Sequence, residues 1–215
     1  MDQAPADGLS PLQARKRAAI LDGARTVFLR DGFGGSSMDE VARAAGVGKQ
    51  TVYRHFGSKE ALFEGLLAEM CGSVFAAPAL QVRDLPGALR EIGRAFVQVV
   101  TEPANLALFR IVVAEAGRFP KLARRFHETG VAAAVAYVAG LLARETGIKQ
   151  AKAESVAATF LEMVKGPAFL RFLLGAAASP WNDSFEQQIE QAVAYVVGQA
   201  PPRKGANSRL ASSRV

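Results

Sequence analysis

The stretch from Ser36 to Lys59, SSMDEVARAAGVGKQTVYRHFGSK, constrains this chain more than any other. Ser37 stands at a helix N-cap position, and Glu40 three residues on completes a capping box, in which each side chain satisfies the other's backbone N–H. Met38, Val41, Ala42 and Ala45 then recur at helical spacing, so the short helix has one apolar face. Gly46 ends it, because glycine enters the left-handed region without a Cβ clash. Val47 offers an apolar plug in the turn. A second short helix is expected from about Lys49 to His55, closed by Phe56-Gly57.

Two short helices across a glycine-containing turn make a helix-turn-helix, whose second helix enters the DNA major groove. With Val52 at the inward pole, Gln50 and Arg54 fall on the far side and Thr51 and Tyr53 on the flanks. Gln and Arg can bond base edges in pairs, Thr can meet a thymine methyl or a phosphate, and Tyr and Lys can hold phosphates. The same pattern also fits the solvated face of an unrelated helical hairpin, and the spacing does not separate the two.

The longer wording does. AAGVGKQTVYRHFGSKEALF resembles the N-terminal DNA-binding domain of the TetR/AcrR family of bacterial transcriptional regulators, over about Arg15 to Leu67. The resemblance implies that Lys49, Gln50, Thr51 and Tyr53 lie at the major groove. It also implies that Tyr53, His55 and Lys59 hold phosphates, together with Ser36, Ser37 and Met38 at the start of the first motif helix. Gly48 and Gln50 occupy positions that vary in the family, so the bases read stay open. Further on, LFRIVVAEAGRFPKLARRFHETG resembles the C-terminal domain of that family's AefR-like branch.

Composition sets outer limits. Half of the 215 residues are hydrophobic, which supports a buried core. The N-terminus lacks the order of a secretory signal, and no uninterrupted apolar run approaches the ~20 residues of a membrane span. One cysteine, Cys71, cannot form an internal disulfide, which suits a cytoplasmic location. Two histidines and one cysteine give no metal-site spacing, and no cofactor is expected. The net charge of +6 is uneven: nine Lys/Arg face seven Asp/Glu up to Glu60, thirteen face thirteen from Ala61 to Ala200, and four basic residues follow Pro202. The first segment's modest surplus fits a reader of duplex DNA better than a non-specific polycation.

The expected architecture is all-α: a mobile arm over 1–13, a three-helix helix-turn-helix domain over 14–60, a larger helical domain over 61–200 and a disordered basic tail over 201–215. Ala14 to Arg30 forms the supporting first helix, and Arg15, Lys16 and Arg17 at its start are either placed for phosphates or a solvated basic end. Leu62, Phe63, Leu66, Leu67 and Met70 mark a connector helix that Pro78 breaks. Later helices carry the stripes Leu89 to Val100, Leu106 to Val113 and Phe126 to Leu142. Gly130 and Gly166-Pro167 are expected to interrupt their helices. Trp181 and a Ser184/Gln187 capping box open the last helix.

Two roles suit that larger domain. A helix-turn-helix monomer reads few base pairs, so two copies about one DNA turn apart are needed. The resemblance implies a homodimer through the last two helices, with Phe160, Leu170, Phe185, Ile189, Ala192, Val193 and Val196 as candidates, although such a stripe also describes core. The resemblance further implies a pocket for a small, apolar effector. Phe96, Val100, Phe109, Val113, Phe126, Phe160, Met163 and Phe169 are candidate lining residues, although residues at this spacing more often fill plain core. Arg110, Glu115, His127 and Glu162 are its polar candidates. The expected function is a dimeric, effector-released repressor on a palindromic operator. An adaptor or activator that ignores small molecules is the alternative. No nucleophile, base or phosphate-cradling loop supports an enzyme.

Overall fold

The computed structural model describes residues 10–75, 84–176 and 183–199, which form ten α-helices and one π-helical turn. Helix α1 (Pro11–Gly35) starts three residues earlier than its apolar periodicity suggests. Ser10 is its N-cap, Gln13 closes a capping box, and Pro11 fills the first turn, where a missing N–H costs nothing. Gly32 kinks it at φ 71°, and the short run beyond carries Phe33 into the core.

Helix α2 (Met38–Ala44) has the expected capping box between Ser37 and Glu40. It closes through Gly46 at φ 64°, where Val47 N–H donates to Ala42 O at 3.0 Å and Gly46 N–H to Arg43 O at 3.2 Å. That paired closure satisfies carbonyls the helix end would otherwise leave open. Helix α3 (Lys49–Phe56) follows, then α4 (Lys59–Phe75), capped by the Ser58 hydroxyl at 3.1 Å from Ala61 N.

Seven further helices complete the chain's larger part. They are α5 (Leu85–Thr101), α6 (Pro103–Glu115), α7 (Pro120–Phe126), the π-helical turn His127–Ala132, α8 (Ala133–Thr146), α9 (Gln150–Leu173) and α10 (Asp183–Gln199). Gly130 therefore does not break the α7–α8 run. The turn widens there instead, a local insertion that recurs at functional sites. At Gly166 (φ 52°, ψ −170°) α9 does kink, because Pro167 cannot donate to the helix. The run Pro120–Thr146 has the length and apolarity of a membrane span, but Val138, Ala139 and Leu142 within it are buried in the larger domain's core.

Two cores result, and their division departs from the expected boundary at residue 60. Ile20, Val27, Phe28, Phe33, Val41 and Val52 share one core with Leu62, Phe63, Leu66 and Leu67 of α4 and with Leu108, Val112 and Leu122 of α6 and α7. Helix α4 thus belongs to this first core, because its buried stripe fills space that α1 and the two short helices α2 and α3 cannot fill alone. The second core packs α5, α8, α9 and α10 around Leu89, Phe160 and Phe185. The arm before Ser10, the side chains of Cys71 and Ser184, the break at Pro78, Trp181 and the basic tail lie outside the described residues.

Glycine allows two close approaches in the first core. A Cβ on Gly23 would lie 2.8 Å from Ala45 N, so α1 and the end of α2 touch backbone to backbone. A Cβ on Gly65 would lie 2.8 Å from the Phe56 ring, so α3 settles directly on α4.

Candidate DNA interface and apolar cavity

The amphipathic pattern of α3 is realised side chain by side chain. Val52 is fully buried, which anchors the helix, while Lys49, Gln50, Tyr53 and Arg54 are exposed and Thr51 is half-buried at the flank. The exposed face carries two cations, an amide and a phenol, and no carboxylate. Lys49 reaches back to Asp39 of α2 at 2.8 Å and sits 5.9 Å above the Tyr53 ring. The hydrogen bond that Lys49 donates to Asp39, together with the carboxylate's charge, holds the Lys49 pKa above the ordinary lysine value. Both partners are more than half exposed, so a phosphate can displace the pair at little cost.

His55 is half-buried beside this face. Burial, and then the charges of Arg54, Arg17 and Lys16, push its pKa below the ordinary histidine value, so it stands neutral among cations. Its Nε2 is buried without a hydrogen-bond partner among the described residues. Arg17 lies 4.8 Å over the Phe56 ring, which fixes part of the basic start of α1 against the end of α3.

Three expected contacts are placed differently. Lys59 does not project outward. Its ammonium donates to Phe33 O at 2.6 Å and Ser36 O at 2.9 Å and lies 4.6 Å over the Phe33 ring. Burial lowers its pKa. This lysine closes the C-terminal end of α1, where a cation meets the helix dipole. Ser36 is buried and donates its hydroxyl to Phe33 O at 2.8 Å, and the Met38 side chain is buried in the first core. Of that group only Ser37 is exposed, with its hydroxyl engaged by Glu40 at 2.7 Å.

Behind the first core lies a cavity of about 190 Å³ between α4, α5, α6, α7, the π-helical turn, α8 and α9. Of the candidate lining residues, Phe96, Val100, Phe109, Phe126 and Phe169 line it, and so does Glu162. Val113, Phe160 and Met163 do not. Val113 is 58% exposed, Phe160 is sealed within the second core, and Met163 packs against that core. Met70, Val99, Asn105, Gly130, Val131 and Lys165 are lining residues that the sequence reading passed over. A signal for two of them existed: Asn105 and Lys165 precede Phe109 and Phe169 by four residues, on the same helical faces.

The other polar candidates have structural duties. Arg110 donates to Leu173 O and Phe172 O, both at 2.7 Å, capping the end of α9. Glu115 accepts from Gly34 N at 3.1 Å, tying the end of α6 to the end of α1. His127 is exposed.

The expected dimer stripe also needs correcting. Phe185, Ile189, Ala192, Val193 and Val196 are buried inside the protomer, as is Phe160, because α10 turns that face onto α5 and α9. A Cβ on Gly93 of α5 would lie 3.2 Å from Ile189, which shows how closely the faces approach. On the outer side of the last two helices, Leu170 is 57% and Val197 45% exposed, and Leu174, just past α9, is 73% exposed. Of the expected set, Leu170 is the residue that the described structure leaves exposed.

Comparison with known proteins follows the same division. Residues 20–66 match the family model for bacterial regulatory proteins of the tetR family. Residues 87–198 match that for the C-terminal domain of AefR-like transcriptional repressors. The HTH-type transcriptional regulator AlkX of Mycobacterium tuberculosis is 38% identical over 53 residues, covering 25% of either protein. The HTH-type transcriptional repressor NicS of Pseudomonas putida is 36% identical over 81 residues, covering 36% of this chain and 38% of NicS. The match thus spans well under half of these curated relatives. Among solved structures, the flavonoid-responsive regulator FrrA aligns at a TM-score of 0.68 with 34% identity over 88% of this chain and 99% of FrrA. A TetR-family regulator from Mesorhizobium loti aligns at 0.71 with 24% identity over 90% of this chain and 100% of its own, a likeness of fold.

Proposed function

We propose that this chain, which belongs to the TetR family of DNA-binding transcriptional regulators, acts as a homodimeric repressor of a palindromic operator and is released by a small, apolar effector. The exposed face of α3 carries the proposal: Lys49, Gln50, Tyr53 and Arg54 point outward from a helix that Val52 pins to the core. In this reading Gln50, Thr51 and Arg54 meet base edges. Lys49, Tyr53 and His55 meet phosphates, and Ser37 stands exposed at the start of α2. Leu170, Leu174 and Val197 supply the apolar part of the dimer face on α9 and α10, placing two α3 helices on one side of a duplex.

Helix α6 is the element that joins effector to operator. Asn105 and Phe109 on it line the cavity, while Leu108 and Val112 belong to the DNA-binding unit's core. Its end is tied to Gly34 by Glu115, and its middle to the end of α9 by Arg110. A ligand that shifts α6 acts on α1 through two buried residues and a hydrogen bond, without needing the connector α4 alone. It works by preferring the state whose half-site spacing no longer fits. That FrrA is named flavonoid-responsive supports a small-molecule trigger in this architecture.

The test is a gel shift of the full chain on DNA upstream of its own gene, across a salt series. Specific, salt-sensitive binding at dimer stoichiometry supports the reading. Equal binding to random DNA, or none at neighbouring promoters either, refutes it.

A further inference from the structure

We propose that the cavity takes a compact aromatic acid, with its ring against Phe109, Phe126 and Phe169 and its single carboxylate on Lys165. The inference rests on the effector reading above and narrows it to a chemical class.

Size comes first. A cavity of roughly 150 Å³ lined by aliphatic and aromatic side chains holds one benzene. At about 190 Å³ this one suits one ring, or two fused rings, with a small substituent. Three separate rings exceed it as it stands.

Shape comes second. Phe109 is the hub of an aromatic cluster, 5.1 Å from Phe126 at an interplanar angle of 49° and 5.7 Å from Phe169 at 59°. Tilted rings at these distances present both edges and faces to a guest, which is how aromatic groups prefer to meet. Gly130, Ala134 and Ala158 contribute small residues to the lining from the π-helical turn, α8 and α9. Lack of bulk there leaves a flat approach for a planar molecule. An alkyl chain fills such a slot poorly.

Charge comes third. Only Asn105, Glu162 and Lys165 interrupt the apolar lining. Asn105 is nearly buried and spends one amide proton on Val99 O at 2.9 Å. Lys165 keeps 22% of its side chain exposed and lies 5.5 Å over the Phe169 ring, so its ammonium stands at the aromatic cluster. Its partner Glu162, at 2.6 Å, is 68% exposed. The pair is therefore lopsided: the cation is mostly inside and the anion mostly in water. A ligand carboxylate can take the inner side of Lys165 while Glu162 swings to solvent. A cationic ligand would instead be driven against Lys165.

The experiment uses the full chain and three probes of similar size: 2-naphthoate, 2-naphthamide and decanoate. Affinity is measured by thermal shift and isothermal titration without DNA, on wild type and on Lys165→Met, which keeps the apolar stem. Expected is naphthoate binding at least tenfold tighter than naphthamide and decanoate on wild type, with the naphthoate advantage over naphthamide lost in the variant. The unaltered protein alone decides the matter if the variant does not fold. Naphthamide binding as tightly as naphthoate removes the carboxylate assignment, decanoate binding best removes the ring, and no binding by any probe overturns the proposal. Operator binding is measured separately. Naphthoate bound tightly with the operator still held leaves the ligand assignment standing and refutes effector release.

Discussion

Replacing Lys59 by Met separates a structural lysine from a phosphate contact. The ammonium makes two hydrogen bonds to backbone carbonyls, at 2.6 and 2.9 Å, and lies 4.6 Å over the Phe33 ring. A hydrogen bond to a charged group contributes about 1.5–3 kcal/mol when sheltered, and the partial exposure of Lys59 reduces each to about 1 kcal/mol. The ring contact adds about 0.5–1 kcal/mol. The variant therefore loses about 2–3 kcal/mol, which at a few degrees per kcal/mol lowers the melting temperature by roughly 5–10 °C. The assay pairs a thermal melt with DNA binding across a salt series, run well below the variant's melting point. A lost phosphate contact would flatten the slope of log affinity against log salt by about 0.9. Bonded to Phe33 and Ser36, Lys59 leaves that slope at the wild-type value. Unchanged melting with a flattened slope would refute the structural role.

Other substitutions test neighbouring steps. Gly23→Ala places a Cβ 2.8 Å from Ala45 N, where backbone must yield, and a melt should show about 1–3 kcal/mol of destabilisation. Tyr53→Ala is expected to weaken binding on every sequence alike, whereas Gln50→Ala should change base preference; competition assays with specific and random DNA tell these apart. His55 gives two opposite pH trends. Its depressed pKa means the unfolded chain takes up the proton first, so this contribution to stability is present above about 6.5 and is lost as pH falls. A DNA phosphate beside the ring favours the charged form, so operator affinity rises as pH falls through the same region. His55→Gln should abolish both trends, read by melts and by gel shifts between pH 5.5 and 8. Arg110→Met uncaps the end of α9 and should lower the melting temperature while leaving DNA contacts intact, as checked by the salt slope.

The sequence made the motif from Ser36 to Phe56 legible because short-range rules govern it. Ser37, Glu40 and Gly46 act within four residues of themselves, and Val52 sets the orientation of α3 by helical geometry alone. Burial decided the rest. Lys59 follows the motif's spacing, yet its side chain turns inward because the end of α1 leaves two carbonyls to be satisfied there. The last helix shows the limit most clearly. A stripe from Phe185 to Val196 announces an apolar face but not its partner, and α5 claims it within the protomer through the space Gly93 leaves. The same ambiguity divided the pocket residues: Phe109 and Phe160 look alike in sequence, but only Phe109 faces the cavity. Asn105 and Lys165 were hidden by polarity, since apolar periodicity passes over polar residues on the same face.

Selection of binding sites from random DNA tests the central claim most directly, run in parallel with wild type and Gln50→Ala. If the outward side of α3 reads the groove in a paired assembly, wild type enriches an inverted repeat. Its half-sites should lie about one helical turn apart, or a multiple of that. The variant should relax the preference at one symmetric position in each half. Enrichment of the same motif by both proteins, or of no motif by wild type, would contradict it.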